Sequence, residues 1–211
     1  MQNVLKYGVV ISMLFSAVTL SILVIKTFSF GRKKLYAESK GDVKKGIAYA
    51  FIKGMMPWEK ESAGNHLPTY LCGILYHSGI FISLFYIITV LIPITLPDIV
   101  ILIIQVLCLS ALFSGLALLI KRILTPFMRE LSCPDDVAAN ILVDIFLILA
   151  FLHTFSRGIT PYFYLVAIIM FLYIPLGKIR HCFFFFYVRI LYGIFYGRRG
   201  VFPSKSKIEE T

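Results

Sequence analysis

Five long apolar runs decide what this chain can fold into. They lie at about 7–25, 68–96, 99–120, 137–155 and 161–176, and the last continues as an aromatic stretch through 182–196. Each is near or above the roughly 17 to 25 residues that a helix rising about 1.5 Å per residue needs to cross about 30 Å of hydrocarbon. The second run is long enough to tilt or to end early at Pro93. The expected fold class is therefore all-α, an integral membrane five-helix bundle forming one domain over 1–211, with helices at about 7–25, 68–93, 99–120, 137–155 and 161–181. Composition agrees: 59% of the 211 residues are hydrophobic and 15% are charged, against about 25% charged in soluble chains. Disorder, a collagen-like repeat and a disulfide-built secreted scaffold are excluded on the same grounds.

The first run has the look of a signal peptide in following a short segment with Lys6. Its apolar part exceeds the roughly 7 to 15 residues of such a segment, and Lys26 with an aromatic-basic stretch follows it in place of a small-residue cleavage site. A retained helix is expected.

Basic residues beside the runs set the orientation. Lys26, Arg32, Lys33, Lys34, Lys40, Lys44, Lys45, Lys53 and Lys60 lie between the first and second runs. Lys121, Arg122 and Arg129 lie between the third and fourth, and Lys178, Arg180, Arg189, Arg198, Arg199, Lys205 and Lys207 follow the fifth. The other side holds only Lys6 and Arg157. The positive-inside rule then puts the amino terminus outside and the carboxyl terminus in the cytoplasm. The formal charge of +10 is accounted for by this asymmetry, and no nucleic-acid partner is implied. A basic cytoplasmic loop over 27–67 and a cytoplasmic amphipathic tail over 182–211 are the only extramembrane segments of any size. Each is too small for a catalytic domain; the Lys-Gly-Asp-Val-Lys-Lys segment at 40–45 reads as solvated and surface-lying, suited to anionic headgroups or a partner on the inner side.

Cys72, Cys108, Cys133 and Cys182 have no Cys-x-x-Cys spacing, so neither a thiolate zinc site nor an iron–sulfur cluster is supported, and packing roles are expected. The histidines carry more. A polar side chain within the hydrocarbon is costly and usually functional. His77 falls about 13 Å into the second helix, and His181 falls about 30 Å along the fifth from its outer start. The two imidazoles can reach one depth, and Gly73, Gly79 and Gly177 beside them leave room for a large planar group. Together they suggest a bis-histidine haem b site.

Two segments carry a resemblance. Tyr76-His77-Ser78-Gly79-Ile80-Phe81 and Tyr173-Ile174-Pro175-Leu176-Gly177-Lys178-Ile179-Arg180-His181 look like motifs of the respiratory nitrate reductase gamma subunit family, with the related cytochrome b subunits of heterodisulfide-reductase-like and sulfate-reducer transmembrane complexes. The resemblance implies a five-helix bundle with an outward amino terminus. It also implies axial ligation of haem iron by His77 and His181, the pair nearer the inner side. The family's second ligand pair would fall near Ile87 and Phe163, so the resemblance implies one haem here, not two.

Other polar residues have two readings each. His66 precedes Pro68 at the inner surface, as an interfacial histidine or a contact to a haem propionate or partner. His153 is expected as an anchor at the outer interface, not a ligand. Asp144 is the carboxylate within a span, on one face with Asn140, either a proton acceptor beside a quinol or a hydrogen bond between helices. Lys178, Arg180 and Arg189 are propionate contacts or ordinary basic residues at a helix end. The aromatic run at 183–187 is expected as an interfacial belt.

The expected function is a haem b membrane-anchor subunit of a respiratory redox complex in the cytoplasmic membrane. It passes electrons between the quinone pool (menaquinone or ubiquinone), or a quinone-binding partner subunit, and a cytoplasmic iron–sulfur subunit, alongside further membrane and cytochrome subunits. By itself it is not a complete enzyme. The alternative is a haem-free five-helix scaffold or small-solute transporter; against it, the spans hold few polar residues for a solute path, and no inverted repeat is visible.

Overall fold

The computed structural model describes residues 2–29 and 38–201; Arg32, Lys33 and Lys34 of the basic loop and Lys205 and Lys207 of the tail lie outside the described residues. The described residues form helices and no strand: α1 (Gln2–Ser29), α2 (Val43–Phe51), α3 (Glu61–Asn65), α4 (Leu67–Leu91), α5 (Asp98–Leu124), α6 (Pro126–Glu130), α7 (Pro134–His153), α8 (Thr160–Tyr173) and α9 (His181–Arg199). Among them α1, α4, α5 and α7 are each long and apolar enough to cross a membrane, and the broken pair Arg157–Tyr173 with Lys178–Arg199 makes a fifth candidate. The chain divides into two compact units, one taking residues up to Leu20 with Leu71–Arg180, the other Ser21–Tyr70 with the residues from His181 onward.

In the first unit, narrow helical stripes pack inward while long apolar side chains cover the outside. Val9, Ser12, Ser16 and Leu20 recur every three or four residues on the buried face of α1. Val4, Ile11, Leu14 and Val18 of the same helix are exposed, an outer surface that suits lipid and not water. The buried face of α4 includes Tyr76, Gly79, Ser83 and Tyr86. It meets a small-residue stripe on α5, Cys108, Ala111, Ser114 and Gly115, of the kind that lets membrane helices approach closely. A Cβ on Gly79 would collide with that of Ala111 and lie 2.7 Å from the Leu107 carbonyl. Phe146 of α7 and Phe163 of α8 close the core against Tyr86, Ile87 and Ile104, all fully buried or nearly so.

The fifth helix expected over 161–181 is interrupted. α8 stops at Tyr173, a 3-10 turn covers Lys178–Arg180, and His181 begins α9. Pro175 has no N–H to continue the helix, and its ring crowds the carbonyl four residues back. The Leu176 and Gly177 amides turn back to the Tyr173 carbonyl at 3.0 and 2.8 Å.

The second unit adds helices to the stretches expected as the basic loop and the amphipathic tail. α1 runs on to Ser29, the loop contains α2 and α3, and the tail is helical to Arg199. In the 40–45 segment Lys40, Asp42, Lys44 and Lys45 are exposed, as expected, while Gly41 and Val43 are half-buried. Asp42 caps α2 by accepting the Lys44 and Lys45 amides at 2.7 and 3.3 Å. The Lys40 amide bonds the Arg198 carbonyl at 2.9 Å. Gly46 and Gly193 let the backbones of α2 and α9 touch, since a Cβ on Gly193 would lie 2.5 Å from the Ile47 Cα. Gly200 ends the contact with a positive φ of 68°, the left-handed conformation glycine adopts after a helix.

Candidate functional site

His77 sits near the middle of α4, about 15 Å from Leu67 and about 21 Å from Leu91 along the axis. Its imidazole is exposed, and Nδ1 lies 2.7 Å from the Gly73 carbonyl one turn earlier. A carbonyl only accepts, so Nδ1 carries the hydrogen and the lone pair of the neutral ring is on Nε2. Histidines that bind metals are oriented in this way by a hydrogen bond from the other ring nitrogen. A Cβ on Gly73 would meet nothing within 4 Å, so the helix surface beside the ring is open. His77 thus fits the role of an axial haem ligand in tautomer; of the glycines expected to leave room, Gly79 is instead packed against Ala111 and Gly177 against the Tyr173 ring. A haem held by two imidazoles does not depend on a cluster of ligands, and among the described residues no group of three or more His, Cys, Asp or Glu side chains gathers to hold a metal ion.

Next to His77, the Tyr76 ring turns the other way, into the protein, with ring centroids 6.3 Å apart. The Asn140 side-chain amide donates to the Tyr76 hydroxyl at 3.1 Å and to Asp144 Oδ2 at 2.9 Å. It also lies 3.4 Å from the Gly115 carbonyl. Asp144 is only 4% exposed, and its Oδ1 is buried with no hydrogen-bond partner. Gly115 makes this possible, because a Cβ there would collide with Asp144 Oδ1 and lie 2.5 Å from the Tyr76 ring. The face shared by Asn140 and Asp144 is thereby a three-helix polar cluster in an apolar surround.

The start of α7 gathers a second polar set. Asp136 accepts the Cys133 amide at 2.9 Å, closing the cap of α7. It also pairs with Lys178 Nζ at 2.6 Å and Arg122 at 3.2 Å. Asp135 accepts the Lys178 amide at 2.9 Å and the Tyr173 hydroxyl. The Lys178 side chain, named from sequence for a propionate, is engaged here by Asp136; Arg180 is exposed.

In the second unit, His181 is exposed at the first position of α9, and His66 is exposed at the end of α3. The Arg189 guanidinium lies over the faces of Phe185 and Tyr192, 5.5 and 5.9 Å from their centroids. Lys60 is held below the usual lysine range, first by burial and then by the charge of Arg189.

His153, expected at an interface, is instead 1% exposed. Its Nδ1 meets the Tyr86 hydroxyl at 2.8 Å and its Nε2 meets Thr160 Oγ1 at 3.0 Å. Its ring lies 5.3 Å from that of Phe163. Both nitrogens are occupied by protein, which disqualifies it as a ligand. A helix-end position hid this network, since the hydrophobic pattern gives no sign that α8 folds back over the end of α7. The positions named for a second ligand pair, Ile87 and Phe163, are both fully buried in this core, so the space is filled by side chains. No protein-family model, curated protein or solved structure matches the chain.

Proposed function

We propose that the chain is a haem b-carrying membrane-anchor subunit of a respiratory redox complex. In this reading it has five spans, with the amino terminus outside and the carboxyl terminus in the cytoplasm, and it belongs to the cytoplasmic membrane. It resembles the nitrate reductase gamma subunit family, and its axial ligands are those the sequence names, His77 and His181. It passes electrons between the quinone pool, or a quinone-binding partner, and a cytoplasmic iron–sulfur subunit whose docking is favoured by the basic loop and tail.

The observation that carries the proposal is the His77 imidazole. An apolar helix with an exposed histidine at mid-length, its Nδ1 committed to the Gly73 carbonyl and the surface open at Gly73, carries a polar side chain where such groups are costly and usually functional. Bound haem supplies one-electron chemistry. The protein's own part is to fix the ligand tautomer, to keep the surround apolar and to position a proton acceptor. The burial of Ile87 and Phe163 favours one haem per chain.

The test is a reduced-minus-oxidised absorption spectrum of the chain produced with ample haem, together with haem quantitation. A low-spin b-type band at about one haem per chain is expected, lost in His77→Ala and in His181→Ala. No band in the folded wild-type chain overturns the proposal and leaves the haem-free scaffold in its place.

A further inference from the structure

The polar cluster beneath His77 has more in it than a structural hydrogen bond needs. Asn140 already satisfies Asp144 Oδ2 at 2.9 Å, while Oδ1 is buried and unpartnered in a gap opened by the absence of a side chain at Gly115. An amide at position 144 would serve a purely structural contact without placing an ionisable group in the bilayer. Around Asp144, α4 presents the Tyr76 phenol and α5 presents the Gly115 backbone, while α7 itself presents Asn140. The ions Asp136, Lys178 and Arg122 are gathered at the start of α7, about 12 Å along the helix from Asp144. Tyr173, from the end of α8, is bonded to Asp135 at that same place. Toward the other end of α7, His153 has both ring nitrogens hydrogen-bonded, and the Cys108 thiol is within 3.2 Å of Ser83 Oγ. None of these cations neutralises Asp144, so its charge state is free to follow the local potential.

That potential is set nearby. Tyr76, next to His77 along the backbone, lies on the buried face of α4, with the two ring centroids 6.3 Å apart, and its hydroxyl accepts from the Asn140 amide that bonds Asp144. We propose that Asp144 is a proton-binding site coupled to electron arrival at the His77 face of α4, an inference that rests on the haem reading above. Negative charge added in a low-dielectric surround is expensive unless a positive charge follows it. When one electron arrives at that face, one proton from the aqueous phase binds Oδ1 and forms an O–H bond. When the electron leaves, that bond breaks and the proton returns to water. Electron and proton balance one to one, and the net charge of the buried region stays constant.

The experiment uses the haem-loaded chain in lipid nanodiscs. The haem midpoint potential of the wild type is expected to fall with rising pH, while Asp144→Asn carries the same haem content with a flat profile. Reduced-minus-oxidised infrared spectra of chain labelled with 13C-aspartate are expected to show a protonated-carboxyl C=O band appearing on reduction, absent from Asp144→Asn. The infrared measurement stands on the wild type alone if the variant fails to fold. The same pH slope in both chains, or no carboxyl band on reduction, overturns the coupling while leaving the haem reading in place. Loss of quinol-dependent reduction in Asp144→Asn with the slope retained also overturns it, assigning the proton to quinol. A folded wild-type chain without haem overturns both.

Discussion

Asp135 Oδ2 accepts the backbone N–H of Lys178 at 2.9 Å across 43 residues of sequence. The same carboxylate takes the Tyr173 hydroxyl, so one side chain fixes both edges of the break that ends α8. Its neighbour Asp136 does a different job, capping α7 at the Cys133 amide and pairing with Lys178 Nζ and Arg122.

The two carboxylates should therefore respond differently to substitution. Asp135→Ala strands a backbone donor and a phenol, and is expected to cost about 1–3 kcal/mol, read as a lower thermal midpoint of the chain in detergent. Asp136→Asn removes ion pairs whose cations are substantially solvent-exposed, so its effect is expected to be smaller and to shrink with added salt. Equal, salt-insensitive losses in the two variants would contradict this division.

Gly193 faces backbone and not a flexible side chain. A Cβ there would lie 2.5 Å from the Ile47 Cα and 2.8 Å from the Ile47 amide, and no rotamer change relieves that overlap. Gly193→Ala is expected to pry α2 from α9, seen as faster hydrogen exchange over Val43–Phe51 relative to the wild type. Gly73→Ala, whose added Cβ meets nothing within 4 Å, is the control expected to leave exchange unchanged.

Hydrophobic run length revealed the apolar helices α1, α4, α5 and α7, because burial in lipid demands little more of a sequence than about 20 apolar residues. It located His77 and Asp144 as polar exceptions within them. The break at Pro175 was written in the sequence, yet the apolar run passes straight through it and masks the stop. The α2 contact with α9 was hidden for another reason: Gly46 and Gly193 are far apart in the chain, and glycine in a basic loop looks like solvated coil until its backbone is seen against another. Nor does sequence spacing reveal that Gly115 cradles Asp144 Oδ1, since their meeting depends on how α5 and α7 approach.

Tyr49, on α2 outside the apolar helices, gives a pH-dependent prediction. Its hydroxyl donates to Glu59 Oε2 at 3.0 Å; burial first, and then this carboxylate, push the phenol up to about 12 from an ordinary value of about 10. The native state thus holds a proton that the unfolded chain releases. Its contribution to stability is full below pH of about 10 and is lost as pH rises through about 12. Tyrosinate absorbance of the native chain, wild type minus Tyr49→Phe, is expected to titrate near the upper value. A difference curve centred at the ordinary value would show that neither the burial of Tyr49 nor its Glu59 contact holds in solution.

His153 separates a core role from a ligand role. With Tyr86 at 2.8 Å on one nitrogen and Thr160 at 3.0 Å on the other, its ring is a packed, hydrogen-bonded plug between α4, α7 and α8. His153→Ala leaves a cavity beside Phe163 and an unpaired Tyr86 hydroxyl, with an expected cost of about 2–4 kcal/mol. Tyr86→Phe removes one hydrogen bond without a cavity, and is expected to cost about 1–2 kcal/mol. Neither substitution touches His77, so in folded protein both are expected to keep the wild-type haem content while lowering the thermal midpoint, His153→Ala the more. Loss of haem from folded His153→Ala with an unchanged midpoint would mean that His153 is a ligand after all and that the buried network rearranges when haem binds.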